Sequence, residues 1–112
     1  MLLRLPEPVA RALDDLRVAL RALFGARLKR LVLFGSYARG TVHEDSDVDV
    51  LVVVDPALEG DGHRAADAAT EIMVRRPEVV LSPLVMSVAQ LDELRARERR
   101  FARDIDMEGI PL

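Results

Sequence analysis

The sequence predicts an α/β (α+β) domain, a small mixed β-sheet flanked by helices, because three hydrophobic patterns follow one another along it. From Val9, the apolar residues Leu13, Leu16, Leu20 and Leu23 recur at helical spacing. Val48 to Val54 is nearly unbroken valine, the composition of a central strand buried on both faces. Ser87 and Gln90 stand three apart before a further apolar periodicity, which is the signature of a capped helix start.

Each element has its own local signals. Pro8 suits the first turn of the opening helix, where its missing N–H is not needed, and Gly25 suits the position just past its end. Leu31 to Phe34 reads as a short strand stopped by Gly35, and residues 40–46 have loop composition. Asp55 and Pro56 end the valine strand. An alanine-rich helix is expected from about His63 to Arg76 and a third strand from Val79 to Met86, with Pro83 requiring an edge position or a bulge. Val88, Leu91, Leu94, Phe101 and Ile105 are the buried candidates of one last helix, and Glu108 to Leu112 forms a tail.

The 112 residues fit one domain, 1–112, with no room for a separate substrate domain. Half are hydrophobic and 31% charged, the balance of a folded protein. A net charge of -3 offers no general attraction to a polyanion, so direct binding of nucleic acid is not expected. Absence of cysteine excludes disulfides and thiolate metal sites. With no long apolar run for an export signal or a membrane span, a cytoplasmic location is expected.

The chemistry concentrates in residues 33–55, LFGSYARGTVHEDSDVDVLVVVD. Gly35 and Ser36 sit where a strand hands over to a turn, a place where backbone N–H groups and a hydroxyl can grip phosphate oxygens. Taken alone, Gly-Ser is equally an ordinary turn. Asp47 and Asp49, two apart on a strand, have Cα atoms ~7 Å apart and point to one face, so both carboxylates can converge on a cation. Mg²⁺ prefers carboxylate oxygens plus substrate phosphates.

Together with Arg39-Gly40 and Ser46, this pattern resembles the signature of the DNA polymerase beta-type nucleotidyltransferase superfamily. The chain length resembles its minimal branch, the minimal nucleotidyltransferases (MNT) that act as antitoxins beside HEPN toxins. The tail motif Glu108-Gly109-Ile110 is similar too. The signature covers about a fifth of the chain. The resemblance implies that Gly35 and Ser36, with Ser46, hold a nucleoside triphosphate, that Asp47 and Asp49 bind Mg²⁺, and that Arg39 supports the turn or reaches a phosphate.

The resemblance further implies a third catalytic carboxylate from the next strand. In EVVLSPLVMS the middle offers only serines, Ser82 and Ser87, as polar side chains, which leaves Glu78 as the candidate third acid beside Asp47 and Asp49. The bland alternative for Glu78 is an exposed residue between helix and strand. His43 and His63 lack ligand spacing, Glu44 and Asp45 read as solvated loop, and Tyr37 suits either a nucleotide base or the core. Arg95, Arg97, Arg99, Arg100 and Arg103 give the last helix a basic stretch, read foremost as a solvated face.

The resulting expectation is a Mg²⁺-dependent enzyme moving AMP from ATP onto a hydroxyl of a HEPN-type toxin protein. Two alternatives stay open: a module that neutralises its partner by binding alone, and a transferase acting on a small hydroxylated molecule within an oligomer.

Overall fold

A computed structural model describes residues 5–40 and 47–112. In chain order the elements are α1 (Glu7–Phe24), a short 3₁₀ turn (Gly25–Arg27), β1 (Leu28–Phe34), α2 (Ser36–Arg39), β2 (Val48–Val54), α3 (Asp61–Arg75), β3 (Leu81–Ser87), α4 (Val88–Arg97), α5 (Arg99–Glu108) and β4 (Ile110–Pro111). The sheet order is β3-β2-β1-β4. β1 runs antiparallel to β2 and β4, and β2 runs parallel to β3 through the α3 crossover. The sheet is mixed, as expected.

β2 explains why both faces need helices. Its residues alternate: Val48, Val50, Val52 and Val54 enter the cluster with α1 and α3, while Leu51 and Val53 enter a second cluster with Leu91 of α4 and Ile105 of α5. All six are at most 1% exposed, which is what a valine-rich central strand requires. α1 offers the first face Val9, Ala12, Leu13, Leu16, Leu20 and Phe24. Leu23, expected on this stripe, is instead 37% exposed, because the step from Leu20 continues by four residues to Phe24.

Three expectations are corrected. The third strand starts at Leu81 rather than Val79, leaving Glu78 in the preceding turn, although Pro83 does lie on an edge strand. The last helix is two, broken at Glu98 (φ -113°, ψ 68°), which lets the second segment turn back over β1. The tail forms β4, pairing Ile110 with Leu33 and Pro111 with Val32. Gly109 permits this return, since a Cβ there would overlap Val32 and the Ile105 carbonyl. The capping box at the start of α4 is present: Gln90 N–H donates to Ser87 Oγ at 3.0 Å, and Ser87 N–H donates to Gln90 Oε1 at 2.8 Å.

At the far end of β2 a buried carboxylate ties the fold together. Arg27 donates to both oxygens of Asp61 at 2.9 and 3.1 Å, and Arg64 adds a third bond at 2.7 Å. The Leu58 N–H also donates to Asp61 at 2.7 Å. Asp61 is 3% exposed, and the Arg27 guanidinium holds its carboxyl well below the usual carboxylate range against the opposing effect of burial.

Candidate active site

β1 delivers its chain to the site by a turn that only glycine can make there. Gly35 has φ +76°, a conformation L side chains rarely adopt, and a Cβ on it would collide with the carboxylate of Asp49. Phe34, just before it, is the antiparallel register partner of Asp49. The Gly35 backbone and the Asp49 side chain therefore share one small space. Ser36 opens α2, whose first-turn N–H groups have no preceding helical carbonyl to bond, and Arg39 N–H closes the turn on Gly35 O at 3.1 Å.

Asp47 lies exposed just before β2, and Asp49 is half-buried on the α4/α5 face of the strand. Burial pushes the Asp49 carboxyl up from its ordinary value, the charge of Asp47 adds to the rise, and Arg39 opposes it. A half-buried carboxylate whose ionisation a neighbouring carboxylate opposes is a place where a cation is favourable. The number and type of these carboxylates fit a hard ion such as Mg²⁺ that takes its remaining oxygens from phosphates and water.

Arg39 is exposed and also reaches Glu108 at the end of α5, 3.8 Å away. A cleft of about 750 Å³ opens beside it between α2 and the tail, lined in part by Ala38, Met107 and Gly109. Tyr37 is buried in the α1/α3 core, so it covers the core and does not face the α4/α5 side. Ser46, like His43, Glu44 and Asp45, lies outside the described residues.

Glu78 is placed in an exposed turn beside Glu7, Pro8, Arg11 and Arg76. Among the described residues no three acidic or histidine side chains gather as a metal site, so Glu78 does not join Asp47 and Asp49 as a triplet. The parallel register instead sets Ser82 directly beside Asp49 on the same face of the sheet. Ser82 is exposed. Its adjacency follows from the pairing of two strands separated by α3, a relationship that no local motif encodes.

A mixed sheet whose glycine-serine turn packs on one of two paired aspartates defines a nucleotide-handling α/β domain. Comparison with known proteins gives the family: residues 13–108 match the nucleotidyltransferase domain, and the chain belongs to that family of enzymes. The chain is similar to two proteins of Methanocaldococcus jannaschii provisionally named protein adenylyltransferases. It is 35% identical over 77 residues to MJ0604, covering 69% of this chain and 72% of that protein. With MJ1305 it shares 35% over 81 residues, 70% of this chain and 55% of the relative.

The fold is also similar to solved structures. A toxin-antitoxin structure with AMP-PNP aligns over 88% of this chain and 70% of its own, with TM-score 0.57 and 20% identity. A MntA-HpeT toxin-antitoxin variant gives TM-score 0.56 and 19% identity over 85% of this chain and 68% of that one.

Proposed function

We propose that this nucleotidyltransferase moves AMP from ATP onto a side-chain hydroxyl of a partner protein, and that the partner is a HEPN-type toxin. The observation that carries the reading is the contact between Gly35 and Asp49, which sets the glycine-serine turn against one of two neighbouring carboxylates, the arrangement a Mg²⁺-bound triphosphate would need. The names of the M. jannaschii relatives support the protein acceptor, and the toxin-antitoxin structures of the same fold support the kind of partner.

In this reading the backbone N–H groups and hydroxyl of Gly35-Ser36 hold the triphosphate, and the resemblance assigns Ser46 to it as well. Asp47 and Asp49 would hold Mg²⁺, which supplies charge neutralisation at the phosphates. Arg39, free to exchange Glu108 for an anion across an exposed contact, adds a phosphate contact. The acceptor oxygen forms a bond to the α-phosphorus as the bridging bond to the β-phosphate breaks. Pyrophosphate leaves with the bonding electron pair, and the hydroxyl proton passes to water or a nearby carboxylate.

One feature favours the binding-module alternative. Ser82, not a carboxylate, stands beside Asp49, and Glu78 lies apart, so proton removal has no third carboxylate to act as its base among the described residues. Intact mass of a co-encoded partner after incubation with Mg²⁺ and ATP decides between them. A gain of AMP units that vanishes with Asp47→Asn supports transfer. An unmodified partner that is inhibited only while bound establishes the module.

A further inference from the structure

Among the described residues, the candidate site has two sides, one toward β1 and one toward β3. Asp49 is flanked by Phe34 of β1, which leads into the Gly35-Ser36 turn, and by Ser82 of β3. In-line displacement at phosphorus puts the attacking oxygen opposite the departing pyrophosphate. With the triphosphate on the β1 side, the acceptor enters from β3.

Among the described residues, that side of β3 is exposed next to Asp49. Ser82 is exposed and Leu84, two residues along the same face, is 41% exposed, whereas Met86 is buried with Leu91. From Leu84 a groove of about 340 Å³ continues past Leu94 to Arg97 at the end of α4. Arg99, Arg100 and Arg103 follow at the start of α5, all exposed. Arg97 meets Glu93 at 3.3 Å, but Arg99, Arg100 and Arg103 have no carboxylate partner among the described residues. Phe101, within this stretch, packs edge-on against Phe34 with ring centroids 5.8 Å apart, which fixes the arginines close to the site.

We propose that this track along β3 and the α4-α5 junction docks an acidic, extended segment of the acceptor protein. The inference rests on the transfer reaction proposed above. The segment's hydroxyl residue reaches the aspartates past Ser82, an apolar side chain lies against Leu84 and Leu94, and its carboxylates pair with Arg97, Arg99, Arg100 and Arg103. Charge complementarity selects such a segment, because residues 97–103 hold four arginines against one glutamate on a chain of net charge -3. An RNA strand fits less well: Leu84, Val85, Met86 and Leu94 give the groove an apolar stretch, Glu93 beside Arg97 would repel phosphate, and four cations on a negative chain make a small phosphate footprint.

The experiment uses a synthetic tyrosine peptide flanked by glutamate and leucine, with a lysine-flanked counterpart, and reads binding by fluorescence anisotropy without nucleotide. The acidic peptide should bind more tightly, and binding should weaken with salt. Arg99→Glu with Arg100→Glu should reduce affinity by about tenfold or more and shift preference toward the lysine-flanked peptide. Leu84→Gln should also weaken binding. Mg²⁺-ATP binding, measured separately, should be unchanged in these variants. Loss of nucleotide binding by the wild-type protein itself would refute the proposed function, independently of the peptide result. Equal binding of both peptides, or no effect of charge reversal, overturns the docking surface. Displacement of the acidic peptide by single-stranded RNA, itself lost on charge reversal, overturns it in favour of an RNA contact.

Discussion

Asp49 occupies the space into which Gly35 would project a side chain. The turn and the carboxylate are thus one construction, and neither can change without moving the other. Gly35→Ala combines an unfavourable positive φ with a collision at Asp49, so it should lower stability by about 1–3 kcal/mol. Nucleotide affinity should fall by at least about tenfold, a change of about 1.4 kcal/mol. Denaturant midpoints and calorimetric titration with Mg²⁺-ATP check the two effects separately.

Asp49→Asn should cut activity sharply without harming the fold. Because burial and Asp47 raise the folded-state pKa of Asp49, its ionised form is disfavoured in the native protein. Protonation therefore stabilises the fold as pH falls through that raised pKa, and at neutral pH the charge is a cost. Removing it should lift Tm by about 1–4 °C in the absence of metal. Transfer should fall by at least about a hundredfold. A fall in Tm would show that the carboxylate serves the fold rather than the site.

Ser82→Asp tests the acceptor side by gain of function. The register puts a new carboxylate beside Asp49, where it can take the acceptor proton. Transfer should rise by about tenfold or more, within the range of general-base effects. Metal-free stability should drop, since a third like charge joins Asp47 and Asp49. Glu78→Gln, in contrast, should change transfer less than twofold, about 0.4 kcal/mol. Single-turnover labelling measures both.

The Arg27-Asp61 pair predicts acid sensitivity. Asp61 has its pKa lowered chiefly by Arg27, so its stabilisation is complete above the unfolded value of about 3.9 and is lost as pH falls below it toward the folded value. Asp106, lowered by Arg95, contributes in the same direction. Arg27→Ala leaves a buried carboxylate without its main partner and should lower the urea midpoint at neutral pH. Asp61→Asn should flatten the stability curve below pH ~4. Urea denaturation across pH measures both.

Legibility in the sequence followed the range of each interaction. β2 and the capping box of α4 were readable, because valine density and Ser87-Gln90 spacing act locally, and Pro83 narrowed β3 to an edge position or a bulge, of which the sheet shows the edge. The break at Glu98 was not, since it falls within a charged stretch without glycine or proline. β4 carries only two residues and depends on Gly109 meeting Val32, a contact far away in sequence. At the site, the aspartate pair and the glycine turn were visible as a motif. Ser82 was not legible as their neighbour, because strand register across a crossover is set by packing of the whole sheet.

Both outer strands of the sheet contain a proline, Pro83 in β3 and Pro111 in β4. β3 pairs with β2 from Leu81 to Ser87 without a register shift, which a proline permits when its nitrogen faces away from the partner. Each border consequently lacks a donor needed to template another strand, and β4 is too short to present a continuous ladder. A molecule built around a buried valine-rich strand is in this way guarded against edge-to-edge aggregation. Association must proceed through side chains rather than by extending the backbone ladder, which makes recognition depend on sequence instead of on generic stickiness.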